Sequence, residues 1–464
     1  MNASQRFERY LDHLSAGLGH ADRHAGLKGY CTGLMLPIRR KSVEPMAAHV
    51  DPLHVQAKHQ SLHHFVAKSD WSDTAIMGRV RDWVLPTLGL HKGCYWIIDD
   101  TGFPKKGKHS VGVARQYCGQ LGKQDNCQVA VSLSLASTQG SIPIAYQLYL
   151  PKDWAADPQR RKTAGVPEDL AFATKPEIAL AQMRQAISSG VQRGVVLADA
   201  GYGDETAFRD GITDLGMLYA VGIRPATTVW APGTAPLPPK PWVGRGVRPT
   251  RLRREPGHEP LAVKALAMAL PPEVFSTVTW REGTNAPLAS RFAALRVRPA
   301  HRDYLGIESR PEEWLLIEWP DGETEPTKYF LSTAPSDATT EQLVFVTKMR
   351  WRIERDYQEL KQEFGLSHYE GRGWQGFHHH ATLCVAAYGY LVAQRLSHSG
   401  SKKTSLDQKR LPYPKITSLA AAGRAQRHVP DSIPTLRFLL AQAIASRLQR
   451  CPCCAGGQIC LVTQ

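Results

Sequence analysis

Apolar positions in the first 88 residues recur at helical intervals. Phe7, Tyr10, Leu11, Leu14 and Leu18 fall three or four apart, the spacing that lines one face of an α-helix. After the basic run Arg39-Arg40-Lys41, the segment Ser42-Val43-Glu44-Pro45 reads as a helix start with Ser42 as its cap. From residue 94 the pattern changes to strands. Cys94-Tyr95-Trp96-Ile97-Ile98 is a short apolar run that stops at two aspartates. Residues 128–136 alternate apolar with small polar side chains, and 142–150 follow a Gly-Ser turn. An alanine-rich helix over 175–189, a buried strand over 195–198, a further helix and a strand over 218–221 continue the series. Hairpin strands followed by alternating helices and strands predict a mixed α/β sheet.

Residues 224–260 break the pattern. They are rich in proline, glycine and arginine and cannot form a core alone. Strand-like runs resume over 274–280, 290–297, 314–319 and 329–332, as a β-rich insertion in the α/β unit. A long helix is predicted over 340–364, another over 381–396 and a last one over 436–448. The expected organisation is a helical N-terminal domain (1–88) that could bind DNA or simply cap the core, a first core part (89–223), a linker and β-rich insertion (224–335), the C-terminal helices of the core (336–400) and a basic segment with a cysteine-rich tail (401–464). No internal repeat is visible.

The 464 residues, 42% of them hydrophobic, suffice for several packed units. No apolar run reaches the roughly 18 to 20 residues that span a bilayer, and the N-terminus has no signal-like stretch. The expectation is a cytoplasmic, nucleoid-associated protein of prokaryotic type. Lys and Arg number 57 against 42 Asp and Glu, an excess of +15 that suits a polyanionic partner without separating DNA from RNA. Cys31, Cys94, Cys118, Cys127 and Cys384 lie in apolar or mixed segments, as reduced buried thiols do. Cys451, Cys453, Cys454 and Cys460 crowd the tail without the paired CxxC spacing of a zinc finger, so a loose tail is expected ahead of a metal site.

Candidate chemistry lies in three carboxylates. Asp99 and Asp100 follow one strand and Asp199 ends another, in Leu197-Ala198-Asp199-Ala200-Gly201-Tyr202-Gly203. A lone Asp there is commonly a turn or cap residue. Two such positions and a suitably placed glutamate suggest convergence at the strand ends of an α/β fold. Glu354 sits in Arg350-Trp351-Arg352-Ile353-Glu354-Arg355-Asp356-Tyr357-Gln358-Glu359-Leu360-Lys361. On a helix, Lys361 returns to within about 20° of Glu354 and Arg350 lies about 40° away, so one stripe carries cation, carboxylate and cation. Ordinary charge pairing on a surface helix would look the same.

The ladder Asp99-Asp100-Thr101, Ala198-Asp199-Ala200-Gly201-Tyr202 and Arg350-(three)-Glu354-(six)-Lys361 resembles insertion-sequence transposases of the DDE class. One branch of that class is similar in Asp99-Asp100-Thr101-Gly102-Phe103-Pro104-Lys105-Lys106-Gly107-Lys108. It is similar too in Gln116-Tyr117-Cys118-Gly119, Asn126-Cys127-Gln128, Trp280-Arg281-Glu282-Gly283 and Glu370-Gly371-Arg372. The resemblance spans about residues 39–380. It implies a ribonuclease H-like fold with carboxylates on the first and fourth strands, a glutamate on a late helix and a β-rich insert before it. It also implies Asp99, Asp199 and Glu354 as catalytic metal ligands, with Asp99 rather than Asp100 in the Asp-x-Thr pattern. Strand alternation independently allows only one of the two to face Asp199. Relatives carry a tyrosine three residues before the Arg of the helix motif. This chain has Thr347 there, and Tyr357 is the nearby aromatic that could take its place.

Three carboxylates suit two hard cations about 3.5 to 4 Å apart, Mg²⁺ or alternatively Mn²⁺. The implied reaction is strand cleavage at transposon ends and strand transfer into target double-stranded DNA, with a homodimer on the DNA. Arg350, Lys361, Lys105, Lys106 and Lys108 are the expected phosphate contacts. A transposase-derived DNA-binding protein and a related nuclease of the same fold are the alternatives. His378-His379-His380 could be a metal tract, a polar turn or a phosphate contact. Trp280 could sit in the core or stack on an unpaired base. Glu370 is a distant competitor for the third carboxylate.

Overall fold

The computed structural model describes residues 2–282, 287–401 and 431–451. Five helices open the chain: α1 (Ala3–Ser15), α2 (Asp22–Met35), α3 (Val43–Val50), α4 (Val55–Ala67) and α5 (Asp73–Val84). Asn2 caps α1 reciprocally with Gln5, and Phe7, Tyr10, Leu11 and Leu14 form its buried face. Ser42 stands at the N-cap of α3, though its side chain makes no capping bond.

The sheet begins with β1 (Tyr95–Pro104), β2 (Ala114–Cys118), β3 (Lys123–Ala136) and β4 (Ser141–Leu148). Two short helices, α6 (Lys152–Ala155) and α7 (Pro158–Ala164), lead to α8 (Lys175–Ser188) and then β5 (Val195–Ala198). After α9 (Ala200–Gly203) and α10 (Thr206–Asp214) comes β6 (Leu218–Ile223). β1 pairs antiparallel with β3 and parallel with β5, β5 pairs parallel with β6, and β4 lies against β3. The core order is therefore β4-β3-β1-β5-β6, the ribonuclease H-like arrangement. The hairpin strand β2 is an addition that makes the fourth core strand the fifth in the chain.

The insertion supplies β7 (Thr228–Trp230), β8 (Leu261–Ala262), α11 (Val263–Met268), β9 (Ser276–Glu282), β10 (Pro287–Pro299), β11 (Glu313–Trp319) and β12 (Lys328–Ser332). It extends the core sheet directly. β12 pairs antiparallel with β6, Tyr329 opposite Ile223, and β11 and β10 continue outward. Backbone groups on the outer side of β6 thus find partners within the same chain.

The helix expected over 340–364 is two helices, α12 (Thr340–Lys348) and α13 (Trp351–Glu363), divided at Met349 and Arg350. The Thr347 hydroxyl bonds back to the Leu343 and Val344 carbonyls, a contact that bends helices. Past the break, Arg352 and Ile353 take shorter i−3 bonds. A 28-residue helix, α14 (Trp374–Ser401), follows, and α15 (Ile433–Ala445) closes the described chain. α14 is buried around its circumference from Phe377 to Ala393. One hydrophobic cluster joins Phe7 of α1, Trp96 of β1, Leu391 of α14 and Ile444 of α15.

The histidine tract lies inside α14, where each ring is buried and separately engaged. His378 accepts from the Leu148 amide, and His379 stacks on Trp71 with ring centroids 3.6 Å apart and reaches the Trp71 carbonyl. His380 bonds the Tyr30 hydroxyl at 2.8 Å and the Gly365 carbonyl at 3.0 Å. The rings therefore fasten α14 to the N-terminal helices and the sheet, and they face no solvent at which a phosphate could bind. Cys31, Cys94, Cys118, Cys127 and Cys384 are buried free thiols. The tail cysteines after Cys451 lie outside the described residues, as does most of the basic segment.

Candidate active site

Alternation along the strands decides what can meet. Tyr95 and Ile97 of β1, Leu197 of β5 and Ala220 of β6 share a small cluster with Met349, Ile353 and Tyr357. Two residues further on, Asp99 and Asp199 point to that same α13-facing side. Trp96 and Ile98 join the main cluster on the opposite face, which α8 covers. Asp100 follows them there and accepts from Lys175 Nζ at 2.7 Å, at the start of α8.

β1 does not stop at the aspartates, as the apolar run suggested. Its parallel ladder with β5 ends at Ile97 opposite Leu197, while the antiparallel ladder with β3 runs on to Pro104. Asp99 therefore sits on a fixed strand just beyond the point where β5 turns away, opposite Ser132. Asp199 is the N-cap of α9 and accepts from the Gly201 amide at 2.9 Å. Gly203 makes this turn feasible, because a Cβ there would collide with the Gly222 carbonyl of β6. Glu354, on α13, has a side chain 63% exposed.

Arg350 ties the group together. Its guanidinium donates to Asp99 Oδ2 at 2.9 Å and to Glu354 Oε1 at 2.8 Å. Burial pushes the Asp99 carboxyl up to about 7; Arg350 opposes the rise, and Asp199 and Asp100 add to it. Burial also works against the charge on Arg350, but Asp99, Glu354 and Asp199 outweigh it and hold the guanidinium firmly protonated. The donors are all carboxylate oxygens, the chemistry of a hard divalent cation. Excess negative charge is offset here by one cation. The residues therefore fit Mg²⁺ or Mn²⁺ in kind, although among the described residues no three ligands are gathered at coordinating distance. The guanidinium lies between two of the three.

The other predicted contacts divide. Lys361 is turned inward, donating to the Gly102 carbonyl at 3.1 Å and to Gln120 at 3.2 Å, with Phe103 beneath it. Burial lowers its ammonium to about 8. Lys105 donates to the Tyr369 carbonyl, whereas Lys106 and Lys108 are exposed. Glu370 pairs with Arg40, away from the carboxylates. Tyr357 is buried, bonded to Ser132 at 2.6 Å and to the Asp99 carbonyl at 3.2 Å, so it is no surface aromatic and stands in for no DNA-contacting tyrosine. Asp356 was not anticipated from the sequence: its carboxylate accepts from Ser141 and Tyr388, both at 2.7 Å. Together Asp356 and Tyr357 fix the rotation of α13, and hence where Glu354 points.

A cleft of about 740 Å³ opens beside the carboxylates, lined by Asp199, Glu354, Arg350, Arg224, Lys348 and Trp280. Trp280 is partly buried at its rim, with Lys348 Nζ 4.4 Å from its ring centre and Glu318 holding that ammonium.

A family model described as DDE superfamily endonuclease matches residues 13–287. The chain belongs to that family. The matched span contains Asp99 and Asp199 and ends before α13, the helix that carries Glu354. The chain is also 33% identical over 193 residues to "Probable transposase for insertion sequence element IS701" of Microchaete diplosiphon, covering 41% of this chain and 47% of that relative. The similarity thus spans about half of the relative's length. Among the described residues, no helix is long and apolar enough to cross a membrane.

Proposed function

We propose that this DDE endonuclease is the transposase of an insertion sequence, cutting DNA strands at the element's ends and joining them to target DNA. The observation that carries the reading is the convergence of Asp99 and Asp199 on one sheet face with Glu354, linked through Arg350. Asp99, Asp199 and Glu354 would hold two divalent cations, Mg²⁺ by preference, which when bound supply activation of the attacking oxygen and charge offset at the phosphorus. The protein's own part is positioning. The β1–β3 ladder and the Tyr357 hydroxyl hold Asp99 rigid, and α9 orients Asp199. Arg350, once released from the carboxylates, is placed to reach a phosphate beside the scissile bond. Exposed Lys106 and Lys108 offer further phosphate contacts. Joining both ends of an element in one reaction calls for two copies of the chain on DNA.

The test uses linear DNA carrying the inverted repeats that flank the coding sequence, in Mg²⁺ and in EDTA. The wild type should nick at the repeat ends only with the metal. Asp99→Asn, Asp199→Asn and Glu354→Gln should each abolish cleavage while retaining DNA affinity. DNA binding without metal-dependent cleavage by the wild type would instead identify a transposase-derived binding protein.

A further inference from the structure

Between Asp214 and Glu255 the chain carries no acidic residue, yet it has seven cations: Arg224, Lys240, Arg245, Arg248, Arg251, Arg253 and Arg254. The last two are structural. Arg253 is bonded to the Pro238 carbonyl and to Glu255, and Arg254 to Asp303, which also receives the Trp230 indole. Paired backbone bonds between Leu237 and Arg253, at 3.0 and 2.8 Å, close a neck, and buried Leu252 anchors it. Beyond the neck, residues 241–251 are all exposed.

The arm is non-repetitive backbone held in shape locally. The Trp242 indole donates to the Gly246 carbonyl at 3.3 Å, and Gly244 and Gly246 adopt positive φ. Side chains of Lys240, Arg245, Arg248 and Arg251 make no hydrogen bond or ion pair among the described residues. The arginines recur every third position, and Val247, 95% exposed, lies between two of them. Four exposed cations on a thin Gly/Pro backbone set up a local positive potential that draws in a polyanion. A folded acidic protein surface would favour paired carboxylate partners on a broad face. This strip is narrow and carries arginines at an extended spacing.

Resting on the DNA reading above, we infer that residues 240–251 form an arm that enters the minor groove of A·T-rich duplex DNA. The minor groove is about 6 Å wide and concentrates negative potential where A·T tracts narrow it. Arg245 and Arg248 are the inserting side chains, and Val247 meets the sugar walls between them. Arginine on a slender arm entering that groove is a general way of adding affinity beside a catalytic core.

Fluorescence anisotropy with the full chain in EDTA tests this on two 20-bp duplexes, one A·T-rich and one entirely G·C, with and without the minor-groove ligand netropsin. The wild type should prefer the A·T duplex on the order of tenfold, and netropsin should remove the preference. Arg245→Ala/Arg248→Ala should bind both duplexes alike and ignore netropsin, while circular dichroism stays unchanged. Unchanged binding by the double variant would overturn the arm. Equal losses on both duplexes, or wild-type indifference to netropsin, would overturn the minor-groove assignment. Failure of the wild type to bind either duplex would instead sink the DNA reading itself.

Discussion

At the scale of single residues, the site is dominated by a carboxylate that is costly to ionise. Asp99 titrates near 7 instead of 3.8 because it is buried beside two other aspartates. Without metal, that penalty is absent below about pH 4, where the carboxyl is protonated in both folded and unfolded chains, and complete above about 7. Stability should therefore fall as pH rises through that window. In EDTA, Asp99→Asn should melt higher than wild type at pH 8, by on the order of a few kcal/mol at most. The advantage should vanish below about pH 4. With Mg²⁺ added, the order should reverse, because only the wild type gains a bound cation. Tyr357 offers a second residue-scale test. Tyr357→Phe removes the bond to Ser132 and to the Asp99 carbonyl, and should cost about 1 kcal/mol in urea unfolding. It should lower cleavage with little change in DNA affinity if its hydroxyl positions β1 for catalysis.

At the scale of elements, two helices depend on what they touch. α9 can lie on β6 only because Gly203 has no side chain. Gly203→Ala should destabilise by about 1–3 kcal/mol, measured by thermal melting, and disturb Asp199 with it. In α14, burial lowers His379 and His380 to about 4 from an ordinary 6.5. Their neutral rings are accommodated and their charged forms are not. The unfolded chain then binds more protons between pH 6.5 and 4, so stability should fall across that interval as the pH drops. His379→Gln should flatten the dependence of the urea midpoint on pH, even though it lowers the midpoint at pH 8.

At the scale of the whole molecule, the N-terminal helices are not an appendage. Tyr10 donates to the Ala386 carbonyl, Tyr30 meets His380, and one apolar cluster includes residues from both ends of the chain. A chain beginning at residue 89 would expose much of α14 to water, a loss of burial worth roughly 25 cal/mol per Å². It should yield aggregated protein without near-ultraviolet dichroism, whereas a separable domain would leave a folded core. The helix at Ile433–Ala445 belongs to the same body, since Arg437 pairs with Glu363 and reaches the carbonyls of Met35 and Leu36.

The sequence determined the periodic elements, because amphipathic spacing is a local property. Phe7, Tyr10, Leu11 and Leu14 are a helix face, although Leu18 falls beyond the end of α1; 195–198 is a strand, and the order of elements implied the sheet. The resemblance offered Asp99 over Asp100 through its Asp-x-Thr pattern, and alternation required that only one of the two neighbours face Asp199. Tertiary structure decided what local pattern does not encode. An apolar run cannot tell where a strand ends when pairing with β3 carries it through polar residues to Pro104. A helical pattern cannot show the break at Arg350, which depends on Thr347 back-bonding and on what α13 packs against. Lys361 read as a phosphate contact, and His378–His380 as a metal tract, a polar turn or a phosphate contact, because charge and polarity usually mean solvent; here carbonyls and rings from distant segments receive them. Arg350 was legible as a cation near Glu354, but only folding brought it onto Asp99, 251 positions away.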